Sequence, residues 1–227
     1  MPTSPYVLSN YDGLFAGSTD VVASQGETIL AGGGAYGVLP RGTVLGEVMF
    51  VLGQAAAVTG NTGDGTIGSV SLGHGRIVGN YTAKCTAVAT ESVKAQFALY
   101  DPNNCIVNTM YADDAFAGPV HFTIITGASH AFALDDAFTI PVAMPTSVEY
   151  RPSQLANVDG SENANAILLN QVDCTIGNST GIIALQGEFV GNKLTFLGDD
   201  TIMDHRLMLR GNGLIVIKRA ISAAAAF

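Results

Sequence analysis

The chain of 227 residues carries 19 Asp and Glu against 10 Lys and Arg, a net charge of −9. Gripping nucleic acid through its phosphates takes clustered cations, so direct nucleic-acid binding is not expected. Hydrophobic residues are 48% and charged residues 13%, a balance that fills a core and argues against disorder; no run approaches the ~20 apolar residues of a membrane-spanning helix, so no membrane partner is expected.

Residues 1–27 are polar, rich in Gly, Ser and Thr, and punctuated by Pro2 and Pro5. Tyr6, Val7, Leu8, Tyr11, Leu14 and Phe15 are scattered through them without a period. This reads as a flexible N-terminal arm carrying adhesive apolar residues, or equally as a frayed terminus. A basic n-region and apolar h-region are missing, so no secretory leader is expected. Residues 28–52 hold short β-like runs, "TIL", "YGVL" and "TVLGEVMFVL", the last entered through a Pro40-Arg41-Gly42 turn and broken at Gly46. A strand of this kind meets its hairpin partner within a few residues. Instead the chain enters "GNTGDGTIGSVSLGHG", a glycine-studded stretch of different texture.

Residues 53–147 read as a separate unit. Runs such as "GNYTAKCTAVAT", "KAQFALYDP", "VHFTIITG" and "DAFTIPVA" are separated by Asp-Pro-Asn-Asn, Ala-Gly-Pro and Thr-Gly-Ala-Ser turns. In the first of them Tyr81, Ala83, Cys85 and Ala87 fall on one face. Short strands with turns at this spacing predict an immunoglobulin-like β-sandwich. Residues 148–227 return to strand, turn, strand until "TIMDHRLMLRG". There Thr201 can cap a helix with Asp204 completing a box-like pair, Ile202, Met203 and Leu207 can form an apolar stripe, and Gly211 can end it. "GLIVIKRAISAAAAF" supplies a last strand and tail. The fold class expected is all-β with one short helix: a barrel- or sandwich-like domain, residues 28–52 plus 148–227, interrupted by the inserted sandwich.

No motif points to catalysis, a metal or a cofactor, and none is expected. "GGGAYG" at 32–37 matches G-x-G-x-x-G, but a turn into a strand follows where a dinucleotide site needs a helix N-terminus. His74, His121, His130 and His205 have no ligand spacing and read as surface or core residues. Asp113-Asp114, Asp135-Asp136 and Asp199-Asp200 lie in predicted turns, where Asp bonds its own backbone. "DGSEN" at 159–163 is a poor calcium loop. Cys85, Cys105 and Cys174 read as buried reduced thiols, with a Cys85–Cys105 bridge as the rival.

Three segments, "LPRGTVLGEV" at 39–48, "YRPSQLANVDGSENANAILLNQVDC" at 150–174 and "GIIALQGEFVGNKLTF" at 181–196, resemble the head decoration proteins of tailed bacteriophages, the family of lambda head decoration protein D. In that family an Arg-Gly-x-Val-Leu-Gly strand is soon followed by Tyr-x-Pro, Asp-Gly-Ser, a Gly/Ala-Ile-Leu strand and a Gly-x-Phe strand. Here Ala166-Ile167-Leu168 and Gly187-Glu188-Phe189 stand at the last two places, and roughly 95 residues intervene before Tyr150. The partner of "TVLGEVMF" is then expected near Tyr150 or within "NAILLNQV". The resemblance implies a non-enzymatic structural protein of the virion, made in the host cytoplasm. It would be a homotrimer on the outer capsid surface, bound to the major capsid protein and cementing the expanded head against internal DNA pressure. Tyr6, Val7, Leu8, Tyr11, Leu14 and Phe15 are the candidate capsid contacts, through β-augmentation. The alternative is an outward-facing module binding host-surface or environmental glycans through the insert, with Tyr100, Tyr111 and Phe116 as candidate aromatics.

Overall fold

A computed structural model describes residues 12–218 apart from 33 and 213. The chain divides into two compact units, Met1–Met49 with Pro145–Phe227, and Phe50–Met144. The first unit begins with β1 (Ala23–Ile29), β2 (Val38–Leu39) and β3 (Val44–Glu47). The second holds β4 (Val51–Leu52), β5 (Ala56–Ala57), β6 (Thr66–Leu72), β7 (Gly79–Ala87), β8 (Gln96–Tyr100), β9 (Ile106–Tyr111), β10 (Ala115–Phe116), β11 (Val120–Ile125) and β12 (Ala137–Ala143). The first unit then resumes with β13 (Glu149–Pro152), β14 (Ala164–Leu168), β15 (Val172–Asp173), β16 (Ser179–Val190), the helix α1 (Ile202–Asn212) and β17 (Ile215–Lys218). The fold is all-β with one α-helix among the described residues.

In the first unit the strands β1, β13, β3, β14 and β16 pair in that order, and β16 pairs back onto β1, closing a five-stranded barrel-like circuit. Its core is built from alternate residues of these strands: Ile29, Leu45, Tyr150, Leu168 and Ile183 in one cluster, Val44, Ile167, Ala184 and Phe189 in another. β17 adds to β16 in parallel along Gly187–Val190. The helix returns Leu209 and His205 to the interior. Two glycines of the Arg-Gly-x-Val-Leu-Gly segment are required by geometry. Gly42 turns into β3 at φ +91°, a backbone region that L side chains resist. Gly46 lets the Ser161 backbone cross β3 so closely that a Cβ would overlap the Ser161 carbonyl.

β3 finds its partners on both sides. β13 pairs with it antiparallel, Tyr150 opposite Glu47 and Pro152 opposite Leu45, and β14 lies along its other edge. β3 and β13 are thus a hairpin whose turn is the whole of the second unit. The tie is closed by backbone bonds from the Val48 N–H to the Glu149 carbonyl and from the Met49 N–H to the Asp159 carbonyl. The run read from sequence as a strand through Leu52 with a break at Gly46 instead passes unbroken through Gly46, ends at Glu47 and resumes as β4 at Val51. Phe50 joins the second unit's core with the Arg76 guanidinium 4.7 Å from its ring centre, and β4 pairs with β12. Both units use apolar residues at this junction, so composition does not mark the change.

The second unit packs a three-stranded sheet, β10-β11-β6, against a sheet ordered β4-β12-β7-β8-β9, with β5 also on β12. The core between them holds Tyr81, Ala83, Cys85, Phe97, Phe122, Phe138 and Ile140. The Phe97 and Phe132 rings meet edge to face at 5.0 Å between centroids. The expected alternation holds through Cys85 and then fails: a bulge between Cys85 and Ala87 leaves Ala87 exposed. β4 and β12 pair Val51 with Ala143, so the two ends of the unit lie side by side.

Other expectations are corrected. Residues 23–29 are a strand of the barrel, and Leu14 and Phe15 are 1% and 4% exposed in its core, so the flexible arm does not extend to residue 27. Cys85 and Cys174 are buried, but Cys105 is exposed at the β8–β9 turn, and all three are free thiols. On α1 the Thr201–Asp204 pair forms, with both the N–H and the hydroxyl of Thr201 donating to Asp204 Oδ2 at 2.7 Å. The stripe is displaced: Met203 and Leu207 face out at 63% and 71% exposure, and the helix runs past Gly211 to Asn212. His205 and Leu209, one turn apart, are the residues it buries.

Candidate functional site

The paired aspartates and the "DGSEN" loop serve the fold. Asp113 and Asp135 sit in turns at positive φ. Asp136 is buried and accepts N–H bonds from Thr62 (2.7 Å), Gly63 (2.9 Å) and Ala133 (2.9 Å). Burial pushes its pKa up, but these three donors outweigh burial and hold the carboxyl below its ordinary value. Asp159 accepts from the Ser161 N–H and pairs with Arg151 at 2.9 Å, fixing β13 to the loop that crosses β3. Tyr150 is buried, and desolvation, with Glu47 and Glu27 nearby, pushes its phenol up to about 12. The Asp200 carboxylate holds the Leu155 N–H and His205 Nε2, each at 2.8 Å, while Phe196 stacks on the imidazole. Among the described residues no group of three or more His, Cys, Asp or Glu is placed to hold a metal ion. Among the described residues no helix is long and apolar enough to cross a membrane.

Of the six arm candidates, Tyr6, Val7, Leu8 and Tyr11 lie outside the described residues. Leu14 and Phe15 form the anchor from which that segment departs. The Val190 N–H donates to the Leu14 carbonyl, the Ala16 N–H donates to the Glu188 carbonyl, and the Phe15 and Phe189 rings lie 5.3 Å apart. Arg41, from the Arg-Gly turn, binds Asp12 at 2.9 Å, donates to the Leu169 carbonyl and lies over the Phe15 ring. Leu14 and Phe15 are thus part of the first unit's core, and burial removes them from any partner's reach. The glycan candidates do not share one surface state. Phe116 is 5% exposed in the core, Tyr100 is half-buried and Tyr111 is exposed.

Two surface features were not singled out from the sequence. One is a groove of about 1240 Å³ between α1 and β17, lined by the outward Met203, Leu207 and Val216 and rimmed by Arg206 and Arg210. The other is the loop from β15 to β16, whose tip residue Ile176 is 101% exposed. An apolar residue standing alone in the turn-like "DCTIGNS" was its only sequence signal.

No protein-family model matches the chain, and no curated protein matches it. Among solved structures the chain is similar to FlgL of Xanthomonas campestris, at 22% identity over 48% of this chain and 32% of FlgL, with a TM-score of 0.31. It is also similar to the flagellar hook junction protein FlgK of Burkholderia pseudomallei, at 19% identity over 53% of this chain and 21% of FlgK, with a TM-score of 0.29. The chain spans about a third or less of either protein's length. TM-scores of this size bring neither a shared fold nor a function to this chain.

Proposed function

We propose that this protein is a capsid decoration protein of a tailed bacteriophage. It binds the major capsid protein on the outside of the expanded head as a homotrimer, and cements the shell against the pressure of packaged DNA. One observation supports the reading above the others. The segments that carry the sequence resemblance, separated by the whole second unit, come together as adjacent strands, β13-β3-β14-β16, of a single barrel-like circuit. Residues of these segments also shape the circuit: Gly42 and Gly46 permit the turn and the crossing, and Arg151 with Asp159 locks the crossing loop.

A subunit that bridges neighbouring capsid proteins makes contacts available only in the intact shell, and so stabilises it by mass action. Three copies at one site add avidity. Tyr6, Val7, Leu8 and Tyr11 are the capsid contacts, carried on a segment whose root is fixed by Arg41, Leu14 and Phe15. The test uses purified full-length protein and DNA-filled heads that lack it. The protein should co-sediment with the heads and raise the temperature at which they release DNA. Heads that release DNA at the same temperature with and without bound protein exclude the cementing role.

A further inference from the structure

The α1–β17 groove and the β15–β16 loop are complementary, and one chain cannot join them. The loop enters β16 at Ser179, whereas the groove flanks Gly187–Val190; about 26 Å of extended strand separates Ser179 from Gly187. The loop is a stiff knob. Asp173 accepts the Thr175 N–H at 2.9 Å, Asn178 accepts the Ala31 N–H at 2.9 Å, and the Cys174 N–H donates to the Gly37 carbonyl at 3.0 Å. Its apolar tip is held in water by these bonds, so little further ordering is needed when it is covered.

The groove offers the matching surface. Met203 and Leu207 stand 63% and 71% exposed on α1, and Val216 is exposed on β17. The outer edge of β17 has no strand partner among the described residues. Charge favours this chain as the occupant. Half of the ten Lys and Arg fall between residues 193 and 219, in a protein of net charge −9. Arg206 and Arg210 rim the groove, while the knob carries exposed Asp173 and no cation.

We infer that Ile176 of one copy inserts into the α1–β17 groove of the next, with Asp173 facing Arg206 and Arg210. The contact is head-to-tail, so it propagates until rotation closes a ring. The number three rests on the homotrimer reading above; the contact itself does not.

The experiment uses full-length protein in a Cys105→Ser background, with Ile176→Cys and Leu207→Cys made separately and then mixed under mild oxidation. Both positions are exposed, so both variants should fold, and circular dichroism checks that they do. Disulfide-linked pairs should form between the two variants and not within either alone. Light scattering should give three times 23.4 kDa for the unmodified protein. Ile176→Ser should weaken self-association by at least about tenfold, the scale of losing one buried anchor. Oligomers without the 176–207 link overturn the knob-in-groove contact and leave the trimer reading standing. A 176–207 link in an open ladder of sizes sustains the contact and overturns three-fold closure. Monomer at every concentration in solution, with no 176–207 link there or on decorated heads and no three-fold clusters on those heads, overturns both.

Discussion

Gly46 has no side chain because the Ser161 carbonyl occupies the space a Cβ would take. Gly46→Ala should therefore shift backbone against backbone and destabilise the barrel by about 1–3 kcal/mol, the usual scale of overpacking. Denaturant titration checks this, and an unchanged midpoint would mean that the loop moves aside at no cost. Asp136 makes a pH-dependent contribution of known sign. Three backbone N–H donors hold its folded pKa below the ordinary value, so the stability it adds is full above the unfolded pKa of ~3.9 and is lost as pH falls through the lower folded value. Asp136→Asn should cost about 1–3 kcal/mol near neutral pH, because one side of the carboxylate becomes an amide NH2 and part-buried N–H groups lose a charged acceptor. Between pH 5 and pH 2, thermal unfolding of the wild type should therefore lose more stability than that of the variant. Parallel pH profiles for the two proteins would remove Asp136 from the account.

The helix α1 separates what burial decides from what periodicity suggests. Its apolar residues can be assigned to either of two faces, and Ile202, Met203 and Leu207 form the better stripe on paper. The face that turns inward instead carries Leu209 and His205, because Asp200 captures the imidazole and Phe196 covers it. Leu209→Ala should cost about 2–5 kcal/mol as a cavity-forming change, whereas Leu207→Ala should stay within about 0.5 kcal/mol in the isolated chain. Urea titration of both variants gives the contrast, and equal losses would place the buried face elsewhere. The strands were more legible than the helix. In β7, alternate residues Tyr81, Ala83 and Cys85 point to one core, and the pattern stops only where a bulge resets the pleat.

For the whole molecule, the consequence of the β3–β13 hairpin is that the barrel's hydrogen bonding is complete without residues 50–144. The second unit has its own buried cluster, and its entering and leaving strands pair with each other. Replacing residues 50–144 with a short Gly-Ser linker should leave the barrel folded, since closure entropy grows only with the logarithm of loop length. Amide hydrogen exchange should show unchanged protection in β1, β14 and β16. Lost protection in those strands would mean that the second unit supplies contacts the barrel needs.

Composition, alternation and turn residues determined by themselves that the protein is all-β, with a short helix near its end and a sequence interruption after β3. These properties are local, set by side-chain period and by backbone preferences over a few residues. The placement of Tyr150 beside Glu47 came close to being legible, since the resembling segments narrowed the search for a partner to that region. Only the tertiary structure decided which apolar residues are core and which are surface. Leu14 and Phe15 looked like loose adhesive residues until the Val190 bond to Leu14, the neighbouring Ala16 bond to Glu188 and the cover of Arg41 drew them inward. Met203 and Leu207 were expected in the helix's apolar stripe, and both stand in solvent, as does Ile176. Hydrophobicity states that a residue gains by being covered; only the chain's return from distant positions determines whether the fold or a second molecule covers it.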